Sequence, residues 1–407
     1  MKSPTVVLIG TLDSKGAEYA FVRDRLHEAG VTTLVVDCGT AGPPFFEPDV
    51  SAAEVASAVG ADLAALTAAG DRGQAVTTMA RGAEVIARQL HADGRLQGLL
   101  ALGGSGGTSI ASAAARALPI GVPKLIVSTM AASDTRSLIG ESDLMLAASV
   151  VDVAGLNSIS RRIFANAAAA MAGMVTAAPL PIVEERPLLA ASMFGVTTPC
   201  VTQARDQLEG VGYEVLTFHM TGTGGRSMES LIDAGFIRGL LDTTPTELCD
   251  ELVGGELSAG PSRLTAAGRA GIPQAVSLGA LDMVNFGPRE TVPKQFDDRN
   301  LYVHNDQITL MRTTPAECAT LGQEVAEKLS AATGPTALFI PLRGISMIAT
   351  EGGPFHDPEA DEALFGAVRA HLGDNVELIE LELDINDPAF SAAMADWLHA
   401  EVQKATA

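Results

Sequence analysis

Gly10, Thr11, Leu12, Asp13, Ser14, Lys15 and Gly16 follow a short β-branched run and precede a helical pattern. A turn from a parallel strand into a helix lies at the carboxyl end of a sheet, where ligands bind. The helix start adds unpaired N–H groups and the positive end of its dipole. Thr11 and Ser14 supply hydroxyls, Lys15 a charge, and Asp13 a carboxylate able to hold Mg²⁺ through water. The run is neither a Walker loop nor the dinucleotide Gly-x-Gly-x-x-Gly fingerprint. Asp and Ser also cap helices, so these residues read equally as a site or as a cap.

A second turn is richer. Gly103, Gly104, Ser105, Gly106, Gly107 and Thr108 again lie between an apolar run and a helical pattern. Each glycine costs about 0.5–1 kcal/mol relative to alanine in chain entropy, and a simple turn needs only one or two. Close approach of the backbone to a phosphate accounts for the rest. The competing reading is a tight turn with Thr108 as helix cap. Asp37 ends the second apolar run, where an acid often takes ribose hydroxyls. Its spacing from Gly10 is longer than usual, and loop capping explains it as well.

The second half of the chain has a third glycine loop. It runs from His219 through Gly222, Gly224 and Gly225 to Arg226, a side chain suited to bidentate contact with phosphate or carboxylate. Asp242, Asp282, His304, Arg312, Arg343 and Asp357 also fall at or just beyond apolar runs. His219 and His304 can move protons near neutral pH. Arg226, Arg312 and Arg343 can hold an anion, and Asp242 and Asp282 can orient a histidine or bind a cation. The catalytic candidates are therefore His219, Arg226, Asp242, Asp282, His304 and Arg343. No spacing among them demands a metal. Taken singly, each reads more simply as a loop cap or a surface ion pair.

These residues need elements to position them. Short apolar runs at residues 5–9, 31–37, 96–102, 124–129 and 144–151 alternate with helical patterns at 17–29, 72–92, 108–118 and 155–175. Ser51 and Glu54 form a capping box opening another helix. Residues 177–187 carry three prolines and lose the helical pattern, which marks a linker. The alternation then restarts. Strands are expected at 188–194, 213–218, 236–241, 274–278, 301–303, 336–341 and 376–381, and helices at 199–209 and 388–405. Such alternation implies parallel βαβ units.

The halves look duplicated. Arg23, Asp24 and Leu26 recur as Arg205, Asp206 and Leu208, and Gly30 as Gly212, at one constant offset. The expected fold is α/β, with two Rossmann-like lobes, each a mostly parallel sheet flanked by helices, and a cleft between them. The expected domains are residues 1–178 and 188–407, joined by a linker at 179–187.

Composition narrows the function classes. The 407 residues exceed one ordinary domain, and 47% hydrophobic content is ample for two cores. A net charge of −22 with no basic run argues against nucleic acid and against anionic membranes. Nucleotides remain compatible, because backbone N–H groups can hold phosphates. Cys38, Cys200, Cys249 and Cys318 are far apart, so neither a disulfide framework nor a zinc ribbon is expected. Residues 1–10 read as a first strand rather than a signal peptide. The alanine-rich stretch 164–183 is broken by Pro179 and Pro181 and reads as a packed helix rather than a membrane span. A cytoplasmic location is expected.

The run G-T-L-D-S-K-G-A-E from Gly10, D-C-G-T from Asp37 and the G-G-S-G-G-T loop resemble the Tm-one-like ATP-binding proteins. So do G-G-R-S-M-E, G-A-L-D-M-V-N-F-G, Y-V-H-N and M-R-T-T-P in the second half. The resemblance covers nearly the whole chain. It implies two α/β lobes, ATP bound by the N-terminal lobe, and self-association as a homodimer or higher homo-oligomer. The antiviral role of the plant member is not expected here.

The leading expectation is an ATP-binding protein, with Mg²⁺, using Gly10, Thr11, Asp13, Lys15, Asp37, Gly103, Gly104, Ser105, Gly106, Gly107 and Thr108. One alternative is an enzyme, a hydrolase or lyase, acting on a small anionic metabolite in the cleft. Another is an interaction module stabilised by nucleotide. No hydrolytic base pairs with a Walker-type lysine, so ATP hydrolysis is not expected.

Overall fold

The computed structural model describes residues 3–178 and 186–406. Residues 179–185 of the expected linker lie outside the described residues. The chain divides into two compact units, Met1–Pro181 and Ile182–Ala407.

The N-terminal unit begins with β1 (Thr5–Gly10), α1 (Leu12–Glu28), β2 (Thr32–Asp37), α2 (Ala52–Ser57), α3 (Leu63–Ala69) and α4 (Arg72–Ala92). It continues with β3 (Gly98–Gly103), α5 (Ser105–Arg116), β4 (Lys124–Ser128), α6 (Arg136–Ile139), β5 (Met145–Ala148) and α7 (Ser158–Thr176). The sheet order is β2-β1-β3-β4-β5, all parallel. Its strands are apolar on both faces because helices cover both. Val7, Ile9, Leu99 and Ala101 pack with the α2, α4 and α5 side, while Val6, Leu8, Leu100 and Leu102 pack with α1 and α7. Full burial of each such large side chain contributes roughly 1.5–3 kcal/mol.

Local signals set several boundaries. Ser51 and Glu54 close the capping box on α2, Asp71 caps α4 by accepting from Gln74 N–H, and Gly30 takes a φ of 78° just past α1. Backbone pairing of β1 with β3 spans only Val6–Leu8 against Gly98–Leu100. Beyond that the Tyr19 side chain enters. Its hydroxyl lies 2.5 Å from the Ile9 carbonyl and accepts from Leu102 N–H at 2.9 Å. A Cβ on Gly10 would meet the Tyr19 ring at 2.1 Å, so glycine is required there. The hydroxyl bridges β1 and β3 where chain direction across the sheet switches, the usual place for a crevice.

The C-terminal unit repeats this plan. It starts with β6 (Leu188–Met193), α8 (Thr198–Gly210), β7 (Glu214–His219), α9 (Thr223–Asp233), β8 (Ile237–Asp242), α10 (Glu247–Val253), α11 (Ala266–Ala270) and β9 (Gln274–Ser277). There follow β10 (Met283–Phe286), β11 (Leu301–Asn305), β12 (Ile308–Arg312), α12 (Pro315–Ser330), β13 (Thr336–Pro341), α13 (Pro358–His371), β14 (Glu377–Leu381) and α14 (Pro388–Thr406). The parallel sheet runs β14-β13-β9-β8-β6-β7, so its first strands are ordered as in the N-terminal unit. Leu26 and Leu208, matched in the sequence, are both fully buried on the first helix of their unit.

One element departs from expectation. The strand anticipated at 301–303 belongs to a separate antiparallel sheet, β10-β12-β11, and not to the parallel one. Among the described residues, no helix is long and apolar enough to cross a membrane.

Candidate functional site

A pocket of about 890 Å³ opens at the carboxyl ends of β1, β3 and β4. Thr11, Asp13, Ser14 and Lys15 line one side of it, and Gly104, Ser105, Gly106 and Gly107 another. The sequence reading placed both loops in one site, and the fold brings them together.

The glycine loop is the most informative part. Gly103 is required by the chain itself, since a Cβ there would stand 2.7 Å from Thr108 N. The other three are not. A Cβ on Gly104 would have its nearest neighbour at 3.9 Å, on Gly106 at 3.4 Å and on Gly107 at 3.6 Å, all ordinary contacts. None of the three has a positive φ. Three glycines thus stand where neither packing nor backbone conformation demands them. They leave bare backbone facing the pocket at the start of α5, whose N-cap Gly104 provides no side-chain cap. The N–H groups of Ser105, Gly106 and Gly107 have no acceptor among the described residues. Three convergent donors at a helix N-terminus form an anion cradle.

The four other expected ligand residues stand behind this surface. Gly10 faces Tyr19 and Gly103 faces its own loop. Thr108 is fully buried and shares a 2.7 Å hydrogen bond with Ser128 Oγ. Asp37 does not line the pocket. Its Oδ1 accepts from Leu12 N–H and from Gly39 N–H, both at 2.9 Å. Burial raises its pKa, against the lowering effect of these amides. The acid therefore fixes the start of α1 against the end of β2. Asp13 works in the opposite direction, accepting from Ala41 N–H at 2.7 Å while lining the pocket. The Lys15 ammonium donates to the Val153 carbonyl, and its backbone leaves helical geometry (φ −130°, ψ 19°). Thr11 and Ser14 hydroxyls share a 2.8 Å hydrogen bond at the rim.

Arg72, Thr129 and Asp152 also line the pocket and were not anticipated. The Arg72 side chain has no ion pair or hydrogen bond among the described residues. Its guanidinium comes within 4.0 Å of where a Gly106 Cβ would be. An exposed arginine opening a helix looks like any surface charge in sequence, so only the fold reveals its position. The apolar wall comes from Leu66, Val76, Met79 and Ile110.

The C-terminal candidates are placed differently. The glycine loop after His219 already holds an anion, and it is internal. Glu247 Oε1 accepts from Gly222 N–H at 2.6 Å and Gly225 N–H at 3.1 Å, while Oε2 accepts from Arg263 Nε at 2.7 Å. Arg263 is fully buried and also donates to both oxygens of Asp242, at 2.6 and 2.7 Å. Ser192 Oγ donates to Asp242 as well, at 2.6 Å. Arg226 reaches the Ser258 carbonyl at 3.0 Å. His219 stacks on Phe194 with ring centroids 5.2 Å apart, and burial lowers its pKa. Asp282 is fully buried, accepts from Ser346 Oγ at 2.8 Å, and has its pKa pushed up to about 6 by burial. Arg312 is buried against Asp361 at 2.6 Å, and Asp357 caps α13. His304 is exposed on β11, and Arg343 lies outside in a loose pair with Glu382 at 3.4 Å. These groups are spread over the parallel sheet, the antiparallel sheet and a loop.

Both units match family models. Residues 4–179 match the N-terminal domain, and residues 186–402 the C-terminal domain, of an uncharacterised protein family, UPF0261. A UPF0261 protein of Clostridium tetani is 48% identical over 400 residues, covering 98% of this chain and 99% of that protein. One from Rhizobium meliloti is 43% identical, covering 95% and 96%. The tomato (Solanum lycopersicum) ToMV resistance protein Tm-1(GCR237) is 39% identical, covering 97% of this chain but 55% of the tomato protein.

Proposed function

This chain belongs to the UPF0261 family, and from that membership and its pocket we propose that its N-terminal unit binds ATP together with Mg²⁺. The observation that carries the reading is the trio Gly104, Gly106 and Gly107. The chain's own packing has no use for their missing side chains, and they leave three free amides at the head of α5. A phosphate needs that combination of bare backbone and unpaired N–H groups. The pocket volume lies within the usual range for small-molecule sites, about 300–1,000 Å³. Arg72 supplies a cation without a competing partner. Asp13 and Asp152 are the carboxylates on hand for Mg²⁺ through its waters. The apolar wall of Leu66, Val76 and Ile110 suits the base. The choice of ATP among nucleotides rests on the family resemblance of the loops.

The test is Gly106→Ala. The new methyl would meet Val76 Cγ2 at 3.4 Å and Arg72 Nη2 at 4.0 Å, both ordinary distances, and replaces glycine inside a helix. The apo protein should therefore be unchanged or more stable, by up to about 1 kcal/mol. ATP affinity by calorimetry should fall at least about tenfold, or about 1.4 kcal/mol. Equal affinity in both proteins rejects the cradle.

A further inference from the structure

α3 is a helix of seven residues that buries none of its side chains. Isolated helices of that length are unstable in water, so its few contacts must hold it. Those contacts are sparse. Thr67 Oγ1 donates to the Thr40 carbonyl at 3.0 Å, and Leu63 and Leu66 lie partly buried against the core. The segment is bounded by Gly60 (φ 72°) and Gly70 (φ 64°), both in the left-handed region. No atom lies within 4 Å of a Cβ built on either one. Backbone conformation alone calls for glycine there, and nothing packs against the two joints.

Open space flanks the helix on two sides. Leu66, Thr67 and Gly70 line the nucleotide pocket. Leu63, Ala64 and Ala68 line a second recess of about 890 Å³, shared with Ala53 and Ser57 around α2. Immediately past Gly70 the fixed body resumes, because Asp71 caps α4 and Ala75 and Met79 are buried. A marginal element with free volume on both sides and a glycine joint at each end can move as a unit.

We propose that α3 is a lid, hinged at Gly60 and Gly70, that closes on the bound nucleotide and sets Leu66 against its base. This rests on the nucleotide reading. Leu66 is then a specificity residue: it favours a ligand with an apolar ring and gives nothing to bare phosphate. Closure follows from contacts that exist only when the base is present.

The test is amide hydrogen exchange on the full chain, without ligand, with MgATP and with inorganic tripolyphosphate. Calorimetry runs beside it on the wild type and on Leu66→Ala. Amides of α3 should exchange far faster than those of α4 in the free protein. They should slow by about tenfold or more with MgATP and not with tripolyphosphate. Leu66→Ala should weaken ATP about tenfold and leave tripolyphosphate affinity alone. If ATP binds and α3 exchange does not change, the lid is wrong while the pocket assignment stands. If tripolyphosphate protects α3 as well as ATP does, the contact of Leu66 with the base is wrong. If ATP does not bind at all, the nucleotide reading falls and takes the lid with it.

Discussion

The carboxylate of Glu247 stands where a side chain on Gly225 would have to go: a Cβ there would lie 2.0 Å from Glu247 Oε2. Gly225 and Gly106 thus occupy similar loops for opposite reasons. Gly225→Ala should destabilise the C-terminal core by about 1–3 kcal/mol, as overpacking does, with a lower urea midpoint. Most of that loss should be absent when Gly225→Ala is made in a Glu247→Ala background, because the two residues compete for one space. Additive effects in the cycle would mean that the glycine is needed for another reason.

Arg72→Ala should separate binding from folding. The guanidinium has no partner among the described residues, so the melting temperature without ligand should not move. A charged hydrogen bond to phosphate is worth about 1.5–3 kcal/mol. The dissociation constant for ATP should accordingly rise by about tenfold or more, and less so at high salt. Wild-type affinity in the variant would remove Arg72 from the site.

Tyr19→Phe keeps the ring and deletes one hydroxyl. The Leu102 N–H would lose its acceptor and the Ile9 carbonyl its neighbour. An unsatisfied buried amide costs about 1–3 kcal/mol, and urea unfolding should register that loss. ATP should also bind more weakly, since the loops at Gly10 and Gly103 follow directly from the bridged strand ends.

Asp282 gives a pH signature. Burial holds its folded pKa at about 6, above the ordinary 3.8. Below about pH 4 both folded and unfolded chains keep the proton, and the group does not discriminate between them. As pH rises toward 6 the unfolded chain ionises first, so stability falls, by about 3 kcal/mol across the window. Asp282→Asn should remove this group's share of the slope and leave that of Asp250, whose pKa burial raises to about 7. Urea midpoints at pH 5 and pH 8 should differ less in the variant than in the wild type; an equal difference would put the titration elsewhere.

Much of the N-terminal site was readable in advance because its signals are local. An apolar run, a glycine cluster and a helical pattern lie consecutively around Gly103, and the Ser51 and Glu54 box needs only four residues. What escaped depends on distance along the chain. Asp37 resembled a ribose acid because its place at a strand end was legible, while the direction of its carboxylate, turned back to Leu12, was not. Glu247 reaches its loop across more than twenty residues and carries no motif. α3 is too short to show a period, and β10, absent from the expected strands, becomes one by pairing antiparallel with β12.

The buried carboxylate of Glu247 belongs to the backbone it serves. An anion tethered to its own receptor has a fixed effective concentration that dilution, dialysis or competing salt cannot lower. The glycine loop of the C-terminal unit is therefore saturated from the moment it folds. The N–H groups at the head of α5 have no such tethered acceptor among the described residues, so on the proposed reading their occupancy follows the solute around them. On the proposed reading, one unit of this chain is built to be constant and the other reports on its surroundings.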